Sequence, residues 1–530
     1  MNNFEYIVVQ AGGKGTRMKH LTNNKPKALV PIDNLPLIFH LFKKYPMKKF
    51  IVIGDYKCDV LRKYLQTFAT VKHIVVDAMG KTGTCGGIRQ AMDILPENAP
   101  FMLIWSDLVL PEDFHIPEIS SGLNSSPNSG LNSSPNPELA GNAIGISKGF
   151  TCRWSYRDGK FEEVPSDDYG VAGLFVFQNK SAIRDVPSEG EFVRWLQSQN
   201  KIFEPIPLHK TKEYGLLEEY EKQEVSRCRP FNRITVTSDG RLLKEGIDAQ
   251  GQALAKREKA WYQLAQEYGI TSIPQIFSYE PFIMEKIQGK NIFEYDFTKE
   301  EQSSILKKLI DTLSSVHRTK TVPCDHFSVQ EAYVTKTFDR LDKIRDLLPF
   351  SHEKFITING RKCHNIFFFK EALHEAFVDY NPGEFRFIHG DCTFSNMMLR
   401  GGAEPVLIDP RGYFGFTENF GDTIYDWAKL YYSIVGNYDK FNLKRFTLAI
   451  NEKDVDLKIV SNGWEQMEGE FFRLLDMLDI LEGKVNRRDI ELIHGVIWLS
   501  LTTYAWEDYD SVCAAFYNGL YYLEDVLWGV

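Results

Sequence analysis

The sequence lacks the features that mark membrane, zinc-binding and nucleic-acid-binding proteins. No stretch approaches the roughly 18 consecutive apolar residues that a membrane span needs. Its eight cysteines include no Cys-x-x-Cys pair, which argues against a zinc site. The formal charge is −9 and no block is rich in Lys or Arg, so we expect neither nucleic acid nor an anionic membrane as a partner. The amino end lacks the pattern of a signal peptide, and we expect a cytoplasmic protein with reduced thiols.

What the sequence does contain is an alternation of short apolar runs and helical patterns. The 530 residues are too many for one core, so two or three domains are expected. Strands are predicted at 6–11, 49–55, 73–78, 101–107 and 170–177, and helices at 35–45, 59–68, 84–95 and 191–199. This order predicts a mostly parallel sheet covered on both faces, with ligands outside the carboxyl ends of its strands. The octapeptide SGLNSSPN, repeated directly at 121–136, predicts a surface loop.

The stretch VVQAGGKGTRM, at 8–18, leads from an apolar strand into a glycine-rich loop. Its glycines fall at 12, 13 and 15, which fits neither the P-loop nor the G-x-G-x-x-G pattern. Such a loop directs several backbone N–H groups at anionic oxygens, and Arg17 adds a fork suited to a polyphosphate. Lys27 follows a proline, and Asp107 ends an apolar strand as a hard oxygen ligand for Mg²⁺. Together these residues predict a phosphate site.

The segments AGGKGTR (11–17), KPKALVP (25–31) and IWSD (104–107) resemble the sugar-1-phosphate nucleotidyltransferase family, over about residues 1–222. The resemblance implies a Rossmann-like α/β domain that joins an NTP to a sugar phosphate and releases pyrophosphate. It implies that the loop, with Arg17, holds the triphosphate, that Lys27 acts at the reacting phosphate and that Asp107 binds Mg²⁺. The remaining predicted contacts are Gly12, Gly13, Gly15, Thr16, Gly83 and Thr84 for the nucleotide, Gly173 and Glu191 for the substrate, and Glu213 as second metal ligand, with Asp167 and Asp168 as alternatives.

The carboxyl-terminal part changes character near residue 223. A hairpin at 233–247, a helix at 252–267 and a strand at 282–289 precede a stretch that is nearly all helical from 297 onwards, except for a loop-rich block at 385–416. A small sheet lobe followed by a large helical lobe is typical of kinases. We therefore predict domains at 1–222 and 223–530, the second with a small lobe at 223–288 and a helical lobe at 289–530.

Two carboxylates and an amide follow one another in FIHGDCTFSNMML and PVLIDPRGYFG: Asp391, Asn396 and Asp409. This spacing resembles the aminoglycoside phosphotransferase and choline kinase family, relatives of protein kinases, over about 224–530. The resemblance implies a two-lobed α+β fold in which Asp391 is the catalytic base and Asn396 and Asp409 hold Mg²⁺. It further implies that Lys244 grips the ATP phosphates with Glu258 as its ion-pair partner, and that Glu285 and Ile287 lie in the hinge that accepts adenine. His389 is expected to brace the catalytic loop.

Joined in one chain, the two resemblances predict a bifunctional enzyme acting on small molecules. The kinase half makes a phosphomonoester and the transferase half consumes one, which favours a sugar kinase coupled to synthesis of an NDP-sugar for surface polysaccharide. One alternative is a choline kinase fused to a phosphocholine cytidylyltransferase, and another is that one domain is catalytically inactive. The base of the NTP, the acceptor and the oligomeric state, a homo-oligomer included, stay open.

Overall fold

The computed structural model describes residues 4–119, 138–139, 141–221, 232–482 and 485–529. The repeated octapeptide and the expected boundary at residue 223 lie outside these ranges. The chain divides into two compact units, Met1–Glu224 with Glu507–Tyr509, and Val225–Trp506 with Asp510–Val530. No helix in the described ranges combines the length and the apolar content that a membrane span requires.

A seven-stranded sheet forms the centre of the first unit. Its strands are β1 Tyr6–Gln10, β2 Lys49–Gly54, β3 Lys72–Asp77, β4 Phe101–Trp105, β5 Ala143–Lys148, β6 Val171–Phe177 and β7 Glu204–His209, in the order β7-β5-β6-β4-β1-β2-β3. Pairing is parallel between β1 and both its neighbours, between β2 and β3 and between β5 and β7, whereas β6 is antiparallel to β4 and β5. The predicted mostly parallel α/β sheet is confirmed.

Continuous apolar runs produce the central strands because both faces of a parallel sheet are covered. In β1 the side chains of Ile7, Val8 and Val9 are fully buried. The helices of this unit with seven residues or more are α1 Leu37–Lys44, α2 Cys58–Phe68, α3 Cys85–Ile94 and α4 Phe192–Ser198. The predicted strands and helices agree with these bounds to within about two residues.

Two strands of this sheet, β5 and β7, were not predicted. The β7 sequence EPIPLH contains two prolines, which cannot donate to a sheet ladder and therefore argue against a strand. The structure tolerates them because β7 is an edge strand that pairs with β5 alone.

In the second unit a small antiparallel sheet comes first. Its strands are β8 Asn232–Val236, β9 Leu242–Gly246, β10 Ile276–Tyr279 and β11 Phe282–Met284, in the order β8-β9-β11-β10. Between β9 and β10 runs α5 Ala249–Glu267, whose N-cap Asp248 accepts a hydrogen bond from the Gly251 N–H at 2.7 Å. The expected hairpin and helix are present, whereas the strand expected at 282–289 is shorter and ends at Met284.

Helices dominate the rest of this unit: α6 Lys299–His317, α7 Lys336–Ile344, α8 Lys370–Val378, α9 Thr423–Ile434, α10 Glu468–Glu482, α11 Arg487–Leu501 and α12 Tyr509–Trp528. The expectation of an almost purely helical lobe is nevertheless too simple. A four-stranded sheet is built from Phe355–Ile358, Arg361–His364, Phe446–Ile450 and Asp454–Ile459. Strands of four to six residues give too short an alternation to stand out between long helical patterns.

Candidate active sites

The glycine loop of the first unit follows β1 at the carboxyl edge of the sheet. The Ala11 N–H donates to the Ile53 carbonyl at 2.9 Å, which keeps the loop against β2. A Cβ on Gly12 would lie 2.8 Å from the Cβ of Asp55, so only glycine fits there, whereas a Cβ on Gly13 would meet nothing within 4 Å. Gly15 adopts the left-handed φ of 64° and leads into a 3₁₀ helix that begins at Thr16. The loop is therefore fixed from behind and open in front of Gly13.

Four charged side chains gather beside this loop. The Lys27 Nζ donates to the Asp107 Oδ2 at 2.5 Å, and both side chains are largely buried. A two-residue antiparallel pairing places Glu213 opposite Leu108, next to Asp107. A Cβ on Gly215 would lie 2.6 Å from the Glu213 Oε1 and 3.3 Å from a guanidinium nitrogen of Arg17. The structure thus brings Arg17, Lys27, Asp107 and Glu213 together.

The two carboxylates of this group fit a divalent cation. Burial, and then the negative charge of Asp107, raise the pKa of Glu213, while Lys27 and Arg17 lower it less. In a typical Mg²⁺ site the protein supplies one or two carboxylate ligands, and water and substrate phosphates supply the others. The two carboxylates here repel one another and would be stabilised by the cation. Within the described ranges no cluster of three or more His, Cys, Asp or Glu forms a more complete metal cage. The alternative ligand Asp168 instead pairs with Lys148 and is exposed.

A second wall of the first unit carries Gly83, Thr84 and Glu191. Gly83 forms a parallel bridge with Gly190, and a Cβ on it would lie 2.3 Å from the Gly190 carbonyl oxygen. The Thr84 Oγ1 accepts from the Phe192 N–H at 2.9 Å. Glu191 accepts from the Trp154 indole at 2.9 Å. The predicted nucleotide and substrate residues 83, 84 and 191 are therefore neighbours.

Gly173 lies against the end of β4. Its φ is 84°, and a Cβ there would lie 2.8 Å from the ring of Trp105. Trp105 is the register partner of Gln10 on β1. The carboxamide oxygen of Gln10 is buried and has no hydrogen-bond partner within the described part of the chain. An unsatisfied acceptor at the carboxyl edge of the sheet is a candidate contact for a ligand.

In the second unit, Lys244 on β9 joins two carboxylates. Its Nζ lies 2.8 Å from the Glu258 Oε2 and also contacts the Asp409 Oδ1. Burial raises the pKa of Glu258, although the charge of Lys244 opposes this; burial lowers the pKa of Lys244, but Asp409 and Glu258 raise it by more. Asp409 itself has a left-handed φ of 53°, a conformation that Asp tolerates better than most residues. The predicted ion pair is present.

The segment around Asp391 is held by side-chain hydrogen bonds. The Asn396 Nδ2 donates to the Asp391 backbone carbonyl at 2.8 Å and to its Oδ2 at 3.0 Å. The Ile408 N–H donates to the Asn396 carbonyl at 3.0 Å, which sets Asn396 beside the strand that leads to Asp409. The Lys429 Nζ lies 2.9 Å from the Asp391 Oδ1. Although burial opposes it, the charges of Lys429 and Arg411 lower the pKa of Asp391.

Two buried histidines stabilise this segment. The His389 Nε2 lies 3.0 Å from the Ile408 carbonyl, and its Nδ1 accepts from the Asp391 N–H at 3.2 Å. Asp426 accepts from the His389 N–H at 2.9 Å and lies 3.0 Å from the His317 Nε2. Burial lowers the pKa of His389. His389 therefore contacts the loop in the bracing role that the sequence predicts.

The hinge residues are positioned by backbone and side-chain bonds. The Glu285 carboxylate is occupied by Arg400, whose Nη2 donates at 2.7 Å, and by the Gln275 N–H at 3.0 Å. The Glu285 N–H donates to the Gln275 carbonyl at 2.8 Å. Among the described residues no hydrogen bond uses the Glu285 carbonyl or the Ile287 N–H. Any contact with adenine at Glu285 would therefore involve its backbone and not its side chain.

Sequence reasoning missed three polar residues at these sites. Asp55 contacts Gly12 and accepts from the Gly80 N–H at 3.0 Å, which links two loops of the first site. Lys429 pairs with Asp391, and Arg411 lies close enough to lower its pKa. Asp55 is the last residue of the strand predicted at 49–55 and could have been found by that signal. Lys429 lies mid-helix, where no local pattern distinguishes it.

Comparisons with known proteins match a family model to each part of the chain. Residues 7–130 match the family model "MobA-like NTP transferase domain", and residues 237–446 match "Phosphotransferase enzyme family". The chain is 28% identical over 108 residues to the mannose-1-phosphate guanylyltransferase catalytic subunit beta of Dictyostelium discoideum, covering 19% of this chain and 30% of that relative. It is 29% identical over 96 residues to the D-glycero-alpha-D-manno-heptose 1-phosphate guanylyltransferase of Campylobacter jejuni, covering 17% and 43%.

Among solved structures, the inositol-1-phosphate CTP transferase from T. maritima is 17% identical, with a TM-score of 0.33, over 41% of this chain and 92% of that one. That score is too low to add to the assignment. The chain spans less than half of the length of the two curated relatives, 30% and 43%. Both predicted resemblances are confirmed by the family models, and the chain unites a MobA-like NTP transferase domain at its amino end with a domain of the phosphotransferase enzyme family at its carboxyl end.

Proposed function

We propose that the protein is a bifunctional transferase that phosphorylates a sugar with ATP and then joins a nucleotidyl group from an NTP to the sugar phosphate. The observation that supports this most is the convergence of each predicted residue set. Arg17, Lys27, Asp107 and Glu213 meet beside an open glycine loop. The corresponding kinase residues form a second centre in the other unit, built on Lys244–Asp409 and Asp391–Asn396.

In the transferase domain, a phosphate oxygen of the sugar phosphate would attack the α-phosphorus of the NTP. The new P–O bond forms as the bond to the bridging oxygen between the α- and β-phosphates breaks, and pyrophosphate leaves. Positioning and neutralisation of charge carry such a reaction. Arg17 and the loop amides would hold the triphosphate, and Lys27, now paired with Asp107, would turn its charge to the reacting phosphate. Asp107 and Glu213 would hold Mg²⁺, which neutralises the phosphate oxygens when bound.

In the kinase domain, Asp391 would take the proton of the acceptor hydroxyl as its oxygen attacks the γ-phosphorus of ATP and ADP leaves. The charges of Lys429 and Arg411, which lower the Asp391 pKa, keep this group a carboxylate at neutral pH. Lys244 would bind the ATP phosphates, and Asn396 and Asp409 would hold Mg²⁺. The Asp409 side chain is half exposed, so it is accessible to a metal–nucleotide complex.

The acceptor that links the two reactions is a sugar with a free anomeric hydroxyl. Both curated relatives act, by name, on sugar 1-phosphates. A kinase that phosphorylates the anomeric position would supply such a substrate to the transferase domain in the same chain. The NDP-sugar would form in the cytoplasm and would then serve the synthesis of surface polysaccharide.

The test is a pair of substitutions in the full-length chain, Asp107→Asn and Asp391→Asn. With Mg²⁺, an NTP and a sugar 1-phosphate, we expect Asp107→Asn to abolish pyrophosphate release and Asp391→Asn to leave it intact. With ATP and a free sugar, ADP formation should show the reverse pattern. Mass spectrometry of a reaction of free sugar, ATP and each NTP should detect an NDP-sugar. If the kinase product is not a substrate for the transferase domain, the proposed coupling is wrong.

A further inference from the structure

Five basic side chains act on one another or on a shared tyrosine, and two of them, Lys429 and Arg411, also act on Asp391. They are Arg257 on α5, Lys336 and Arg340 on α7, Arg411 after Asp409, and Lys429 on α9, and we call them the basic cluster. Lys336 and Arg340 are four residues apart on one helix and so share a face. The five residues come from four separate segments of the chain, so no sequence window displays them together.

Tyrosine rings hold the cluster together. The Arg411 guanidinium donates to the Tyr425 hydroxyl at 2.6 Å and to the Tyr413 hydroxyl at 3.1 Å. Arg257 lies over the ring of Tyr413, with its guanidinium carbon 4.5 Å from the ring centre. Lys429 lies 5.3 Å from the ring centre of Tyr432. Contacts of this kind orient cations without neutralising them.

The cluster has almost no compensating negative charge. Within the described residues only Lys429 has a carboxylate at ion-pair distance, that of Asp391. Arg340 donates to the Ser500 carbonyl at 2.7 Å and lies 4.7 Å from the ring centre of Tyr504, both neutral partners. Basic groups that are partly withdrawn from solvent, as these five are, are ordinarily paired with acids. An unpaired set of this size is therefore a site for an anion that is not part of the chain.

The titration of neighbouring groups shows the same excess of positive charge. Burial raises the pKa of Tyr413, but Arg411, Arg340 and Arg257 lower it by more. Burial, and then Arg411 and Arg340, hold the pKa of Lys336 well below its usual value, although Glu331 opposes this. A bound anion would relieve the repulsion among these groups.

We propose, resting on the kinase activity proposed above, that the basic cluster binds an anionic group on the acceptor. Lys429 and Arg411 lie at Asp391, the group that would deprotonate the acceptor hydroxyl, so the anion belongs to the molecule being phosphorylated. The acceptor is then a sugar derivative that carries a phosphate or a carboxylate. A cationic amino alcohol such as choline would meet repulsion at this position.

A set of matched acceptors tests this assignment. Each acceptor is incubated with the full-length protein, Mg²⁺ and ATP, and ADP formation is measured. The set is glucose, glucose 6-phosphate and glucuronic acid, the corresponding mannose series, and choline. We expect the acidic members of one series to exceed its neutral sugar in kcat/KM by at least tenfold, the value of about one charge-assisted hydrogen bond. Whether the phosphate or the carboxylate is preferred identifies the anion. A preference for neutral sugars or choline overturns the assignment and leaves the kinase standing, whereas no ADP formation with any acceptor refutes the kinase activity itself.

A variant separates binding from a general loss of structure. Lys336→Gln removes one unpaired basic group, whose protonated form a bound anion would favour. It should raise KM for the acidic acceptor about tenfold. The values of kcat, of KM for ATP and of KM for the neutral sugar should stay unchanged. Lys343→Gln, on the same helix but exposed, is the matched control and should leave kcat and each of these KM values unchanged. An equal effect of Lys336→Gln on acidic and neutral acceptors would show that the cluster is structural only.

Discussion

Gly13 offers a direct test of whether the glycine loop holds a triphosphate. A Cβ at position 13 meets no atom of the protein within 4 Å, whereas a Cβ at position 12 would lie 2.8 Å from the Asp55 Cβ and 3.1 Å from its backbone nitrogen. Neither glycine has a positive φ, so alanine strains the backbone at neither position. The two substitutions therefore add the same methyl group to a crowded position and to an open position of one loop.

The expected magnitudes follow from these distances. Gly13→Ala should leave the free energy of unfolding within about 0.5 kcal/mol of the original, as a substitution without steric conflict does. Gly12→Ala forces apart two backbone segments and should cost about 1–3 kcal/mol, the range for overpacking. If the space before Gly13 holds the triphosphate, its methyl group should reduce kcat/KM for the NTP at least tenfold, because the donors of the loop can no longer approach the phosphate oxygens closely.

The assay is pyrophosphate release from an NTP and a sugar 1-phosphate, with ADP formation by the kinase domain of the same chain as internal control. Denaturant unfolding gives the stability of each variant. We expect Gly13→Ala to be stable and defective in nucleotidyl transfer, and Gly12→Ala to be destabilised. Full pyrophosphate release by a stably folded Gly13→Ala protein would refute the assignment of the loop to the triphosphate.

Three further predictions concern charge. Lys244→Met should reduce ADP formation at least a hundredfold. It should also lower the free energy of unfolding by about 3 kcal/mol, because Glu258 stays buried without its partner. Adding Glu258→Met should recover the stability measured by denaturant unfolding but not the activity. Glu213→Gln should raise the Mg²⁺ concentration needed for half-maximal pyrophosphate release at least tenfold, because it removes a carboxylate ligand. Stability should not fall, since burial and Asp107 raise the pKa of Glu213 and so disfavour its charged form. An unchanged Mg²⁺ dependence would exclude Glu213 as a ligand. Burial lowers the pKa of His494 to about 3 in the folded state, so folding favours its neutral form, and its contribution to stability is present above the unfolded pKa of about 6.5 and declines as the pH falls. This group alone should cost the second unit about 2 kcal/mol between pH 7.5 and 5.0, a loss that buried carboxyls with raised pKa values, such as Glu258 and Asp439, oppose. Comparing the pH dependence of unfolding of the original protein with that of His494→Gln, which keeps an acceptor for the Trp498 indole, should isolate this loss.

Local patterns were sufficient for the central elements of both units. The strands Tyr6–Gln10 and Phe101–Trp105 are continuous apolar runs. A short apolar run that ends in glycines or Asp is typical of a buried strand. The spacing from Asp391 to Asn396 and on to Asp409 likewise lies within one short loop-rich block. One local strand pairing, Met397–Arg400 with Glu404–Leu407, brings Asn396 near Asp409.

The sequence by itself therefore determined the fold class of both domains and named most of the residues that the structure gathers at the two candidate sites, because these depend on periodicity and on short spacings. Tertiary structure decided what depends on segments far apart in the chain. Only the fold could show that Glu213, and not Asp168, lies at Asp107, since strand pairing across about a hundred residues chooses between them. The basic cluster at Asp391 is the same case, because electrostatic interactions depend on distance in space and are independent of distance along the chain.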